Sequence, residues 1–335
     1  MSPPDENDLD AHFAIFKNTM YIDFPTLAVK GLEFGLLKTY AIPSISKTLA
    51  QTRELVDNVP RRYDDTDLIM RSMMEHPPNS PVSLLAIRRL NALHAKYKIS
   101  NADYLYVLTI FAVEPFLWIE KYGYRRVHPV EKMSSFVIWR DVGIKMGIEN
   151  IPPSYEAMQA YLHSFEAKQM RYHMSNEMVA QATIKLFLSK VPPVLHPLGR
   201  RIIHAMCGEK LGRAFGFPAA WPGLPTLLHY VLLLVSAGAT RYLLLPRSQP
   251  LVRTPPDTAT TTTTTATCTE AAQTPLAAAA GGAYARKCPL FQAYEATYGP
   301  HTDGYRIDEL GPEQFAAARE LGPVYKETAA SMAIR

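Results

Sequence analysis

His94 stands in the run Arg88-Arg89-Leu90-Asn91-Ala92-Leu93-His94-Ala95-Lys96-Tyr97, the stretch of this chain richest in chemical content. On a helix it shares a face with Asn91, Leu90 and Ile87, which lie three, four and seven residues before it. A histidine on the apolar face of a core helix needs a partner for each ring nitrogen. A haem iron on one side and a hydrogen-bond acceptor on the other would supply both. A core histidine that only hydrogen-bonds is the ordinary alternative, and helix position alone favours it. A second cluster, Arg61-Arg62-Tyr63-Asp64-Asp65-Thr66-Asp67, also allows two readings. Asp64, Asp65 or Thr66 would cap a helix opening at Leu68. Alternatively, Arg62 would pair with a cofactor carboxylate or polarise bound oxygen, and Thr66 would donate a proton to it.

Other groups carry weaker signals. Arg125, Arg126 and His128, and then Arg200, Arg201 and His204, offer donors that a carboxylate-bearing cofactor needs, but solvated faces carry such residues too. Glu114 sits in the most apolar stretch of the chain, so its carboxylate must be paired or protonated, and Pro115 beside it should kink the helix. His163 and Glu166 lie one turn apart, yet the second such pair that a carboxylate-bridged di-iron bundle requires is missing. No nucleotide-binding glycine loop, Gly-x-Ser-x-Gly elbow or His-Glu-x-x-His motif occurs.

The elements that must position these residues read as helices. No Asn-Gly hairpin or sustained period-two alternation is present. Helical patterns cover Leu27–Leu37, Ser44–Val56, Leu68–Glu75, Ser83–Tyr97, Asp103–Tyr122, Glu131–Met146, Tyr155–Met170 (with Ser154 as N-cap), Glu177–Lys190 and Leu198–Phe215. Asp103–Tyr122 is apolar on nearly all faces and must be buried. From Pro222 to Thr240 there is no formal charge, and Leu224–Leu245 is just long enough to cross a bilayer. It could equally lie in the interface or form a core helix. Thr254–Ala285 is a Thr/Ala-rich stretch that cannot bury enough apolar surface to order itself.

The fold class is therefore all-α. The organisation expected is a polar N-terminal segment (1–20), a helical core (21–221) and an apolar helix that is a candidate membrane anchor (222–246). A disordered insertion (254–285) and a C-terminal segment packing back on the core (287–335) complete it. With 335 residues, 47% of them apolar and 20% charged, the chain can bury a sizeable core. The net charge of +4 is small and its basic residues are scattered, which argues against nucleic acid as a partner. Three widely spaced cysteines, Cys207, Cys268 and Cys288, exclude a disulfide framework and a cysteine zinc site. The opening residues Met1–Asp10 are acidic and polar, unlike a secretory leader.

Taken in order, several blocks resemble the fungal oxygenases of the MpaB type, bound to the endoplasmic reticulum, and their bacterial relatives the rubber oxygenases. The blocks are Leu32–Leu49 with its Lys38–Pro43 centre, Arg62–Thr66, Arg89–Tyr97, Asp103–Ile119, Trp139–Ile148, Val191–Gly199 and Gly304–Pro312. Together they span residues 20–245 and 298–320. The resemblance implies a single helical domain around haem b, which uses dioxygen to cleave or oxygenate a C=C bond in a hydrophobic isoprenoid chain. It implies His94 as the iron ligand, with Arg89 and Asn91 of the same block against the cofactor. It also places Arg62 and Thr66 near the distal face, with Asp65 between them. The rubber oxygenases carry a lysine at the position of Asp65, and an aspartate cannot act as the neutral nitrogen ligand that a lysine can. Glu33 is the nearest candidate for the family's distal glutamate. The fungal members open with a membrane helix that this amino terminus lacks, so either the chain is truncated there or Leu224–Leu245 does the anchoring. The expected location is the endoplasmic-reticulum membrane, in fungal secondary metabolism. The alternative is a non-catalytic, membrane-associated helical protein that keeps the scaffold.

Overall fold

The computed structural model describes residues 4–238, 247–251, 291–292, 305–312, 315 and 318–325. The insertion at 254–285, Cys268, Cys288 and the end of the apolar run (239–245) lie outside the described residues. Among the described residues the fold is all-helical apart from one two-residue antiparallel pair, Phe291–Gln292 against Tyr305–Arg306. The chain divides into two compact units.

The larger unit is built from residues 1–59, 97–251 and 325–335. Its helices are α1 (Leu9–Asn18), α2 (Pro25–Thr39), α3 (Pro43–Thr52) and α4 (Glu54–Asp57). Residues between 60 and 96 carry α5 (Val59–Met74) and α6 (Pro81–His94). The larger unit then resumes with α7 (Asn101–Tyr122), α8 (Pro129–Lys145), α9 (Tyr155–Gln169), α10 (Met174–Leu188), α11 (His196–Ala214) and α12 (Leu224–Leu233). Starts follow side-chain chemistry: Ser100 and Ser154 each accept a hydrogen bond from an N–H of the first turn, at 3.1 Å in both cases.

At the centre lies α7, packed by α2, α8 and α9. Ile110, Ala112, Val113, Phe116 and Ile119 are fully buried, as a helix apolar on all sides requires. The backbones of α2 and α7 come close at Gly31, where an added Cβ would sit 2.6 Å from the Pro115 Cα. The opening twenty residues, expected as a polar segment, contain α1 instead. His12, Phe13 and Phe16 are buried on it, and the helix packs on α8. Glu131 near the start of α8 joins these parts, accepting from Thr19 Oγ1 at 2.7 Å, Arg125 at 2.7 and 2.9 Å and the His128 N–H at 2.6 Å. Arg125 also reaches Asp23, so one of the candidate cofactor arginines holds the fold together instead.

The smaller unit comprises residues 60–96 and 252–324. Its helix α5 opens at Val59, nine residues before the start expected from the sequence. Asp64, Asp65 and Thr66 are thus interior helical residues and cap nothing. Proline is favoured in a first turn, and Pro60 supplies that start. The polar residues that follow are accommodated by pairs one turn apart: Arg61 with Asp65 at 3.9 Å, and Arg71 with Asp67 at 2.7 Å and Glu75 at 3.3 Å.

Candidate functional site

Arg62, Asp65 and Thr66 lie on α5, and Arg89, Asn91 and His94 on α6. Ser80 caps α6, accepting from the Ser83 N–H at 3.2 Å, and His94 is the helix's last residue. His94 is half-buried as a residue, and its Nδ1 is sealed from solvent. Burial, and then the nearby positive charge of Arg62, hold the imidazole down at a pKa of about 4. The carbonyl end of a helix favours a cation by about 0.3–1 kcal/mol, which is too little to offset this. The ring is therefore neutral at physiological pH, the form in which a histidine binds iron.

Arg62 and Thr66 face each other one turn apart. The guanidinium donates to Thr66 Oγ1, and that hydroxyl donates to the Arg62 carbonyl at 2.9 Å. The influence of Arg62 on His94 puts these two in one electrostatic neighbourhood, bringing the two clusters of the sequence together. Asp65, on the same helix, is buried and pairs with Arg61.

Arg89 and Asn91 are bonded to the C-terminal tail. The Arg89 guanidinium, 1% exposed, donates to three carbonyls of the C-terminal tail. Its Nε reaches Leu310 at 2.8 Å, while its two terminal nitrogens reach Glu320 and Phe315 at 3.0 Å each. Asn91 Nδ2 donates to the Pro323 carbonyl at 2.7 Å. Arg88 completes the clamp: its carbonyl accepts from the Gly322 N–H at 2.8 Å, and its Nε donates back to the Gly322 carbonyl at 3.2 Å. Glycine is required there, because a Cβ would stand 2.8 Å from the Ala92 nitrogen. A cleft of about 390 Å³ beside this clamp is lined by Leu84, Arg88, Gly322, Pro323 and Val324 and contains none of the candidate site residues.

The donor set fits one kind of metal group. Among the described residues no three His, Cys, Asp or Glu side chains cluster as a bare metal ion would need. A haem brings its own four nitrogens and asks only an axial ligand of the protein. One neutral, half-buried histidine with an arginine beside it meets that demand.

The larger unit holds a second charged cluster that sequence reasoning saw only in part. Glu114 and Glu166 flank the Lys38 ammonium at 2.8 and 2.6 Å, and Tyr106 donates to Glu166 at 3.4 Å. Burial pushes the Lys38 pKa down, but the two carboxylates more than reverse this and raise it. The Tyr106 phenol is raised well above its usual value, chiefly by burial and then by the same carboxylates. Glu114 therefore has the partner its apolar helix demands. Glu166 serves this cluster. Glu33 is bound to Lys30 at 2.7 Å in an exposed pair.

Comparison with known proteins agrees with this architecture. Residues 20–241 match the family described as ER-bound oxygenase mpaB/B'/rubber oxygenase, catalytic domain. ER-bound oxygenase mpaB' of Penicillium brevicompactum is 30% identical over 253 residues, covering 70% of this chain and 60% of that protein. ER-bound oxygenase mpaB of Penicillium roqueforti (strain FM164) is 30% identical over 220 residues, 60% of this chain and 74% of the relative. The chain thus spans 60% of the length of the first of these relatives. Latex clearing protein LCP in its closed state shares the fold, with a TM-score of 0.54 at 20% identity, over 75% of this chain and 72% of that one. With two thirds of its length matched by the family and the same helical fold, this chain belongs to the MpaB/rubber oxygenase catalytic-domain family.

Proposed function

We propose that this protein is a haem b-dependent oxygenase that uses dioxygen to cleave or oxygenate a C=C bond in an isoprenoid or terpenoid chain. Its setting would be fungal secondary metabolism at the endoplasmic-reticulum membrane. The observation that carries the reading is His94: a neutral imidazole with a sealed Nδ1, at the end of α6, within the electrostatic reach of Arg62. His94 is the iron ligand. When bound, the haem supplies the iron at which dioxygen is activated. Arg62 supplies a fixed positive charge for a propionate or for oxygen-borne negative charge. The Thr66 hydroxyl, held against Arg62, is the proton donor, and the buried Asp65 sets the charge around Arg61 beside it. Arg89 and Asn91 act as positioning residues, fixing the last turns of α6 and hence His94 by tying that helix to the tail. A substrate with an isoprenoid chain suits a predominantly apolar helical interior.

The test is the visible spectrum of protein expressed with haem supplied. A Soret band is expected from the wild type, and its loss in His94→Ala. A wild type that folds but shows no Soret band overturns the haem reading. It would leave the alternative, a membrane-associated scaffold without chemistry, to which the aspartate at position 65 points.

A further inference from the structure

Helix α12 is built inside out. It continues into a π-helical turn, Leu234–Gly238. Along the two, Leu227, Tyr230, Val231, Leu234 and Val235 are each between 44% and 74% exposed. Their spacing of three, four, seven and eight residues from the first gathers them into one continuous apolar stripe. Two polar side chains of the segment, His229 and Ser236, face the protein. Ser236 Oγ lies 2.5 Å from the Tyr122 carbonyl, and the His229 ring is 5.7 Å from the Tyr122 ring with its Nδ1 buried. A helix on a water-facing surface has the opposite arrangement. Leaving such side chains in water forgoes about 1.5–3 kcal/mol apiece.

The surroundings of the stripe specify what covers it. The Arg201 guanidinium lies over the Trp221 ring at 4.0 Å, joining the first turns of α11 to the start of α12. Trp221 is itself exposed, as are Val194, Leu195 and Leu198 at the head of α11. Between Val191 and Gly238 the charged residues are Arg200, Arg201, Lys210 and Arg213 against Glu209 alone. All five are exposed, and none lies on α12. An apolar stripe with an interfacial tryptophan and a basic rim matches the edge of an anionic bilayer. A second copy of the chain would bring the same positive rim against itself in a two-fold contact. Contacts to Tyr122 from both His229 and Ser236 keep one face of the helix on the protein, so lipid does not surround it.

We propose that α12 and the head of α11 form a monotopic docking surface that lies in the plane of an anionic membrane, with the Leu227–Val235 stripe inserted. The proposal rests on the membrane attachment in the functional reading above, and gives it residues and a mode. The test is flotation of the full chain with vesicles of phosphatidylcholine alone or containing phosphatidylserine. Wild type is expected to float with the anionic vesicles and to be released by alkaline carbonate. Leu227→Ser/Val231→Ser/Leu234→Ser should lower the bound fraction by at least about tenfold, from the apolar area lost. Arg200→Gln/Arg201→Gln should abolish the preference for phosphatidylserine. An unchanged circular dichroism spectrum shows that the variants fold. If the triple variant floats like wild type, this surface is wrong although the attachment stands. Retention after carbonate treatment means a crossing segment and overturns the in-plane mode. A dimer that the triple variant dissolves, with flotation unchanged, makes a second copy the occupant. Wild type that floats with neither vesicle removes the attachment itself, while the Soret test of His94 is untouched.

Discussion

Replacing Arg89 by methionine should free the C-terminal tail from α6 and loosen His94 with it. The guanidinium is 1% exposed and makes three hydrogen bonds of 2.8–3.0 Å to main-chain carbonyls at residues 310, 315 and 320. A hydrogen bond with one charged partner contributes about 1.5–3 kcal/mol net, so three could amount to roughly 4–9 kcal/mol if all were lost to a dry interior. The Phe315 and Glu320 carbonyls are only partly buried and would recover water, while methionine would regain some packing from the stem. The expected loss is therefore about 3–5 kcal/mol. Arg89→Lys should lose about half of that, because one ammonium cannot reproduce a planar fork aimed at three acceptors. The assay is urea unfolding followed by circular dichroism, paired with limited proteolysis of the native protein. Cleavage after residue 310 should quicken in Arg89→Met, and the Soret band should weaken or be lost more readily on dilution. A destabilisation below about 1 kcal/mol, or a tail as protected as in wild type, would refute the idea that Arg89 organises this region.

Three other perturbations address the larger unit. Lys38→Met leaves the Glu114 and Glu166 carboxylates buried without their shared cation and should cost about 3–5 kcal/mol in urea unfolding, much of it restored by adding Glu114→Gln and Glu166→Gln; a loss no larger in Lys38→Met than in the triple variant would count against the cluster. Gly31→Ala drives a methyl against the Pro115 Cα and should destabilise by about 1–3 kcal/mol, whereas a neutral melting temperature would mean that α2 and α7 can part at little cost. Burial raises the Glu131 carboxyl, but its hydrogen bonds from Arg125, Thr19 and His128 outweigh this and lower it. Its stabilising contribution is therefore present above the unfolded carboxylate pKa near 4.5 and fades as pH falls through the lower folded value. Arg125→Met should flatten that acid limb of the stability–pH curve, and an unaltered limb would contradict the assignment.

Much of the helical order was legible because it is local. Ser154 caps its helix where the sequence places it, and α7 is buried because its residues are apolar all round. The start of α5 was not, because two local rules compete there. A run of Asp and Thr before Leu68 is a good capping signal, but Pro60 begins a helix earlier and i,i+4 charge pairs carry the run inside it. The Lys38 cluster was half legible. The demand for a partner is written in Glu114's apolar surroundings, while the identity of that partner depends on residues 76 positions before it and 52 after it.

The same distinction separates the two halves of the candidate site. That His94 lies on the helix of its block follows from spacing, although the helix ends at His94 and not at Tyr97, and the helix that sets Arg62 and Thr66 one turn apart opens nine residues before its expected start. That the arginine lowers the imidazole pKa depends on how the two helices are brought together, which no periodicity contains. Arg89 and Asn91 show the reverse. Their place in the His94 block suggested direct cofactor contact, yet a helix has more than one face. These residues turn to the tail carbonyls, and α6 can present His94 from its end while they hold it from the side. A sequence block can therefore owe its composition to two duties at once. Only one of them, the ligand, would be chemical, and the other, the clamp, keeps that ligand where the chemistry needs it.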